Sequence, residues 1–155
     1  MKTTMKKKSS RQPICCAIYA RTATVKKPRE DNSITQQVAK CKRFAKERGW
    51  TVGEDCIFID SGMSGLRVNS GLQNLMRTAA LKPKRFGVVL CTSIDRIARD
   101  TGVLTLIYGT LKNYGVKIRF AVFGGAALSD TVWLTLSRLM QPRLRTGGNK
   151  VRDVL

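Results

Sequence analysis

Two arginines three residues apart, Arg96 and Arg99, are the side chains of this sequence most suited to chemistry on an anion. They follow an apolar run at 88–91 and lie in the stretch Ser-Ile-Asp-Arg-Ile-Ala-Arg-Asp at 93–100. A guanidinium presents a planar fork of N–H donors to phosphate oxygens, and Asp95 can hold one of these forks in place. Taken alone, the stretch is more typical of a solvated strand-to-helix turn in a basic protein. A second group of residues near the N-terminus reverses that preference.

The elements that must position these arginines alternate between apolar strands and amphipathic helices. Ser33 is a good cap for the first helix, and Asp100 or Thr101 is a good cap for the third. The predicted strands cover 14–19, 51–59, 86–92 and 116–123, and the predicted helices cover 34–48, 70–80, 101–113 and 132–140. The first helix is expected to bury Ile34, Val38, Cys41 and Ala45. This alternation indicates the α/β class, with a mostly parallel sheet of about four to five strands covered by helices.

The polar residues that follow the strands share one edge of such a sheet. Arg21 follows the first predicted strand, Asp60 follows the second, and Arg96 and Arg99 follow the third. Because ligands of open α/β sheets bind beyond the carboxyl ends of the strands, we expect these side chains to converge on one crevice.

The composition indicates a polyanionic partner. The chain has a formal charge of +19, from 29 basic and 10 acidic residues. Most of this charge remains when residues 1–13 and 141–155 are set aside, so it belongs to the predicted fold as well. Nucleic acid is the natural partner of such a surface, and an anionic membrane surface is the lesser alternative. No apolar run approaches membrane-spanning length.

Several classes of chemistry are excluded by what the sequence lacks. It has no histidine, which rules out Ser-His-Asp and Cys-His catalysis. The five cysteines have no Cys-x-x-Cys pair, so we expect no metal site and read them as buried thiols of a cytoplasmic protein. A dinucleotide- or flavin-binding domain fits the alternation, but no Gly-x-Gly-x-x-Gly follows the first strand. We therefore expect no cofactor.

Five sequence blocks together resemble the catalytic domain of the resolvase/invertase family of serine recombinases. They occur in the family's order, at roughly its spacings, and span most of the chain, from about residue 14 to 125. They are Tyr-Ala-Arg-Thr-Ala-Thr at 19–24, Ser-Ile-Thr-Gln-Gln at 33–37, Asp-x-Gly-x-Ser-Gly at 60–65, Gly-Leu-Gln at 71–73 and Asp-Arg-Ile-Ala-Arg at 95–99. The resemblance implies a domain of site-specific DNA recombination, of the mobile-element or phage type.

The resemblance also implies roles for individual residues. In the family, a serine hydroxyl attacks a DNA phosphodiester while arginines stabilise the charge that develops on phosphorus. By motif, the phosphate-binding arginines would be Arg21, Arg96 and Arg99. Gln37 and Asp95 would orient them, Asp60 would be a supporting carboxylate, and Lys82 matches a basic DNA-binding position of the family less closely.

The main departure from the family is at the nucleophile. The family's serine lies two residues after the first arginine, and this position is Ala23. A methyl group cannot attack phosphorus, so we predict that the chain does not cleave DNA. Thr22 and Thr24 carry the nearest hydroxyls, but each is one residue out of register, which in an extended chain directs it to the other face.

The same reasoning divides the chain into a basic disordered arm (1–13), a resolvase-like domain (14–140) and a basic tail (141–155) that is short relative to the family. The expected partners are DNA and, as alternatives, a second copy or an active serine recombinase; the expected location is the cytoplasm, with the nucleoid.

Two other functions stay open. One is a non-catalytic basic module that coats nucleic acid, and the other is an active recombinase that uses Thr24.

Overall fold

A computed structural model describes residues 13–23, 33–63, 65, 68–122, 124–127 and 135 of the 155-residue chain. The elements in chain order are β1 (Cys15–Thr22), α1 (Ile34–Glu47), β2 (Thr51–Ser61), α2 (Ser70–Ala79), β3 (Val88–Cys91), α3 (Ile94–Ile97), α4 (Thr101–Asn113), β4 (Lys117–Phe120) and β5 (Ala126–Ala127). The strand order is β2-β1-β3-β4-β5. The first four strands pair in parallel and β5 is antiparallel to β4, which confirms the predicted α/β class.

The sheet buries apolar side chains on both of its faces. Ala17 and Tyr19 of β1 pack with α2 and α4, whereas Cys16 and Ile18 pack with α1. Successive residues of a strand point to opposite faces, so an uninterrupted apolar run is what a strand covered on both sides requires. One face is therefore covered by α1, and the other by α2 and α4.

The helix caps are those that the sequence predicts. The Ser33 hydroxyl accepts a hydrogen bond from the Gln36 amide at 3.2 Å, and the Asp100 carboxylate accepts one from the Val103 amide at 2.9 Å. Each bond satisfies an amide that the first turn of a helix leaves without an intrahelical partner.

The buried side of α1 is rotated from the predicted one. Its buried residues are Gln37, Cys41, Phe44 and Ala45, so the prediction was right for Cys41 and Ala45. Ile34 and Val38 are only partly buried, although Val38 packs against the core on this face. The rotation turns the polar Gln37 toward β1, where its amide bonds to the strand backbone.

Two short elements were not predicted, and the strand bounds differ from the predicted ones. The four-residue helix α3 and the two-residue strand β5 are too short to carry a periodic pattern. Strand β1 extends to Thr22 and β2 extends to Ser61, so Arg21 and Asp60 lie inside their strands rather than after them. The predicted arm up to residue 12, the tail at 141–155 and the helix at 132–140, apart from helical residue 135, lie outside the described residues. Within the described ranges, no helix has the length and apolar character needed to cross a membrane.

Candidate functional site

The predicted crevice forms where β1, β2 and β3 end. Arg21 of β1 is paired in register with Asp60 of β2, and α3 begins directly after β3. This topology brings the backbone of Asp95 and Arg96 within hydrogen-bond distance of Arg21, about 75 residues earlier in the chain. The expected convergence of the arginines is thus present in the structure.

The Arg21 side chain is completely buried and bonds to three backbone carbonyls. Its Nε donates to the carbonyl of Arg96 at 3.1 Å, its Nη1 to that of Met63 at 2.9 Å and its Nη2 to that of Asp95 at 2.6 Å. Burial lowers the pKa of the Arg21 guanidinium, and the charges of Arg99 and Arg96 lower it further. In this structure Arg21 therefore ties the loop after β2 to the turn after β3.

Gln37 fixes the backbone of Arg21. The side-chain Oε1 of Gln37 accepts from the Arg21 amide at 3.1 Å, and its Nε2 donates to the Arg21 carbonyl at 3.0 Å. A buried side-chain amide that bonds both backbone groups of one residue replaces the partners that a further strand would supply. The structure thus places Gln37 against the Arg21 main chain and not against its guanidinium.

Arg96 is held from two sides. Its Nη1 donates to the Arg21 carbonyl at 3.2 Å, and its Nη2 lies 3.0 Å from Oδ2 of Asp95. Asp95 also accepts a hydrogen bond from the hydroxyl of Ser93. Burial alone would raise the pKa of Asp95, but the bond from Ser93 and the charge of Arg96 hold it below its usual value. The carboxylate therefore stays ionised and keeps the guanidinium in place.

Arg99 is exposed, and its anchoring contact within the described part of the chain is made by its backbone. Its amide donates to the carbonyl of Gly65 at 2.9 Å. A Cβ at Gly65 would lie 2.7 Å from Nη2 of Arg21 and 3.1 Å from Cγ of Arg99. The absence of a side chain at Gly65 is therefore what allows the loop after β2 to pack against both arginines.

Asp60 faces the start of α2. Its carboxylate accepts hydrogen bonds from the Tyr19 hydroxyl at 2.9 Å, the Gly71 amide at 2.8 Å and the Leu72 amide at 3.1 Å. The N-cap residue Asn69 makes no side-chain capping bond, so Asp60 supplies the negative charge that a helix N-terminus favours. Burial and the adjacent carboxylate raise the pKa of Tyr19, which stays a neutral donor.

The position predicted for the nucleophile carries no hydroxyl. Ala23 is the first residue after β1 and is exposed. Thr22 is buried, and its hydroxyl accepts a hydrogen bond from the Gly62 amide at 3.4 Å. Thr24 lies outside the described residues.

Lys82 is not brought to the crevice. It lies in the exposed loop between α2 and β3, at the amino ends of the strands, whereas the arginines lie at their carboxyl ends. Its predicted contact with DNA stays a prediction. Across the described ranges, no group of three or more His, Cys, Asp or Glu side chains could hold a metal ion.

Sequence reasoning missed the partners that hold the charged groups. The carbonyl of Met63 and the capping contact between Asp60 and α2 have no signature in the sequence, because backbone groups are the same in every residue. Gly65 did carry a signal. It lies in a loop punctuated by glycines, where a close backbone approach is expected.

Comparison with known proteins agrees with the geometry. The family described as "Resolvase, N terminal domain" matches residues 16–138. The N-terminal catalytic domain of TP901-1 integrase is similar in structure, with a TM-score of 0.66 at 23% identity over 81% of this chain and 90% of that chain. A resolvase family site-specific recombinase from Streptococcus pneumoniae has a TM-score of 0.64 at 21% identity over 81% of this chain and 85% of that one. No curated protein matches the chain. At these identities the likeness to solved structures shows the fold.

Proposed function

Because this chain belongs to the resolvase N-terminal domain family, the catalytic domains of serine recombinases, we propose that it holds DNA in site-specific recombination without cutting the strand. In this proposal the crevice binds a backbone phosphate through Arg96 and Arg99. Arg21 and Gln37 position the turn that carries them, and Ala23 leaves the covalent step without a nucleophile.

The observation that carries the proposal is the reciprocal bonding of Arg21 and Arg96. Each guanidinium donates to the carbonyl of the other residue, so the two strand ends are locked together by charged donors. Among the described residues, the contacts of Arg96 with Arg21 and Asp95 engage two of the five N–H donors of its guanidinium. The remaining donors, with those of the exposed Arg99, suit the oxygens of a phosphodiester.

The lack of cleavage is supported by the hydroxyls near the nucleophile position. Formation of a phosphoserine link needs an oxygen that can approach phosphorus in line with the leaving oxygen. Ala23 has none, and the hydroxyl of Thr22 is buried against the Gly62 amide.

Cleavage is tested with supercoiled plasmid and the whole chain. We expect no nicking and no covalent protein–DNA adduct, and we expect Ala23→Ser to form the adduct. Nicking by the unaltered chain that disappears in Thr24→Ala would overturn the proposal. The double variant Ala23→Ser with Arg96→Gln is the matched control, because it restores the hydroxyl while removing the guanidinium.

A second candidate function is supported by the charge of +19. A basic module that coats nucleic acid through its lysines would bind without using the crevice. Deletion of residues 1–13 would then weaken DNA binding more than the pair of changes Arg96→Gln and Arg99→Gln. Under the proposed function, the arginine pair has the larger effect.

A further inference from the structure

The exposed side of α1 carries a row of cations that the crevice does not use. Lys40, Lys42, Arg43 and Lys46 are exposed within one 14-residue helix, and Glu47 is the only acidic residue of that helix. None of the four cations has an ion-pair partner among the described residues, where the ion pairs join Arg85 to Asp55 and Arg96 to Asp95. These four residues are called the α1 cation row below.

The other face of the sheet differs in charge. Helices α2 and α4 cover that face, and each carries a single cation, Arg77 and Lys112. Leu106, which is 57% exposed, lies on the same side. Exposed cations also lie in the loop between α2 and β3, but among the described helices α1 alone carries more than one. Of the two helical layers, the α1 layer is therefore the one whose charge is complementary to a polyanion.

Two members of the α1 cation row, Lys40 and Arg43, border a cavity of about 390 Å³. Lys40, Arg43 and Glu47 line one side of it, and Ala121 and Val122, which follow β4, line the other. Phe44 also lines this cavity and is almost completely buried, so it offers little surface for a base to stack on. The cavity suits a sugar–phosphate backbone better than an inserted base.

We propose that the α1 cation row is a second contact surface for the backbone of duplex DNA, separate from the crevice. From Lys40 to Lys46 the helix rises about 9 Å, a length over which a duplex presents about five phosphate charges. Four cations thus nearly match the charge of the DNA they would face. Helix α1 starts beside the crevice, where Gln37 contacts Arg21, and the row leads away from it. The inference rests on the proposed function for the identity of the partner.

An anionic membrane is the less suitable partner. A helix that binds a membrane surface keeps an apolar side free to enter the lipid. The apolar residues of α1, Cys41, Phe44 and Ala45, are buried against the sheet. Ile34 and Val38 are only partly exposed, so α1 offers a partner mainly its charged side.

The test compares two triple variants that each remove three positive charges. Lys40→Gln, Lys42→Gln and Lys46→Gln remove the three lysines of the α1 cation row, and Arg77→Gln, Lys112→Gln and Lys117→Gln remove three exposed cations elsewhere. The affinity of the whole chain for a duplex without a chosen sequence is measured from 50 to 300 mM salt, concentrations that span roughly the range over which counterion release dominates. We expect the first variant to reduce the slope of log K against log salt by about 2.7, and the control to reduce it by less than about 1. Equal reductions in both variants would overturn the inference.

Two further measurements separate this inference from the proposed function. If the variant with Arg96→Gln and Arg99→Gln loses affinity for DNA while the α1 variant keeps its full salt slope, the crevice is supported as a DNA-binding site and the α1 surface is rejected. If the α1 variant loses salt slope and the arginine variant binds DNA normally, the α1 surface is supported and the crevice is rejected as a DNA-binding site. Binding to vesicles of phosphatidylserine and phosphatidylcholine is measured as well. If the α1 variant alone loses vesicle binding while its DNA binding is unchanged, the inference is overturned.

Discussion

The crevice and the outer side of α1 both present cations, but the two regions are built in opposite ways. In the crevice, Arg21 is completely buried and Arg96 is fixed by a carbonyl and a carboxylate. On α1, Lys42 and Lys46 extend into solvent and have no ion-pair partner among the described residues. One region depends on directed hydrogen bonds, and the other depends on the number of charges.

This difference determines how each region should respond to change. Removal of a buried donor leaves its acceptors without partners, so a single substitution in the crevice affects both stability and binding. An exposed lysine contributes a screened charge, and its removal changes binding by a small step while the fold is unaffected. We therefore expect the largest effects of substitution in the crevice and the smallest on α1.

Arg21→Met should have the largest effect. Methionine fills most of the buried volume but leaves the carbonyls of Met63, Asp95 and Arg96 without their donor. Each unpaired buried carbonyl costs about 1–3 kcal/mol, so we expect the free energy of unfolding to fall by roughly 3 kcal/mol or more. Urea denaturation measures this loss. Arg77→Met on the exposed side of α2 is the control and should stay within about 0.5 kcal/mol. Equal stability of the two variants would show that Arg21 does not hold the crevice together.

Gly71→Ala should have the next largest effect, because it disturbs the support of the crevice. A Cβ at Gly71 would lie 2.6 Å from the carbonyl oxygen of Ile59 and 3.0 Å from Cγ of Asp60. Backbone cannot move aside cheaply, so we expect a loss of about 1–3 kcal/mol. Gly109→Ala in α4 is the matched control, since a Cβ there meets no atom within 4 Å and should stabilise its helix by about 0.5–1 kcal/mol. The two substitutions should therefore have opposite signs in thermal melts, and a common sign would contradict the assigned contact.

The sequence predicts the scaffold of both regions but only part of the crevice. Apolar runs and helix caps locate the four parallel strands and the three longer helices, because periodicity and capping are properties of neighbouring residues. The meeting of Arg21 with Arg96 also follows, since parallel strands end at one edge. The sequence pattern does not predict the hydrogen-bond partners of the polar side chains in the crevice.

Asp60 and Gln37 show why the partners were not predicted. Motif resemblance gave Asp60 as a supporting carboxylate near the crevice; it pairs in register with Arg21, and its carboxylate contacts Tyr19 and the first amides of α2. Gln37 was expected to orient the arginines, and it bonds the main chain of Arg21. In both cases a long-range contact decides which way a polar side chain turns, and sequence spacing carries no information on that choice.

Asp95→Asn should have a smaller effect that depends on pH. The pKa of Asp95 is below its usual value in the folded protein, so ionised Asp95 stabilises the fold at pH 6–7, and this contribution is lost as the pH falls through that lowered value. The gap in stability between wild type and Asp95→Asn should therefore be present near neutral pH and close below about pH 4. The effect is limited because 44% of the Asp95 side chain is exposed. Ser93→Ala should show part of the same loss, and a gap that stays constant from pH 7 to 3 would contradict the prediction.

Stepwise neutralisation of the α1 cation row should give the smallest single effects, and these should be additive. Lys46→Gln alone should leave the free energy of unfolding within about 0.5 kcal/mol and lower the salt slope of DNA binding by about 0.9. Adding Lys42→Gln and then Lys40→Gln should lower the slope by similar steps, because each exposed lysine displaces its own counterions. The same titration with Arg77→Gln should leave the slope unchanged. If the first substitution alone removed most of the salt slope, the lysines would act as one organised site. Binding at α1 would then depend on directed contacts, as in the crevice.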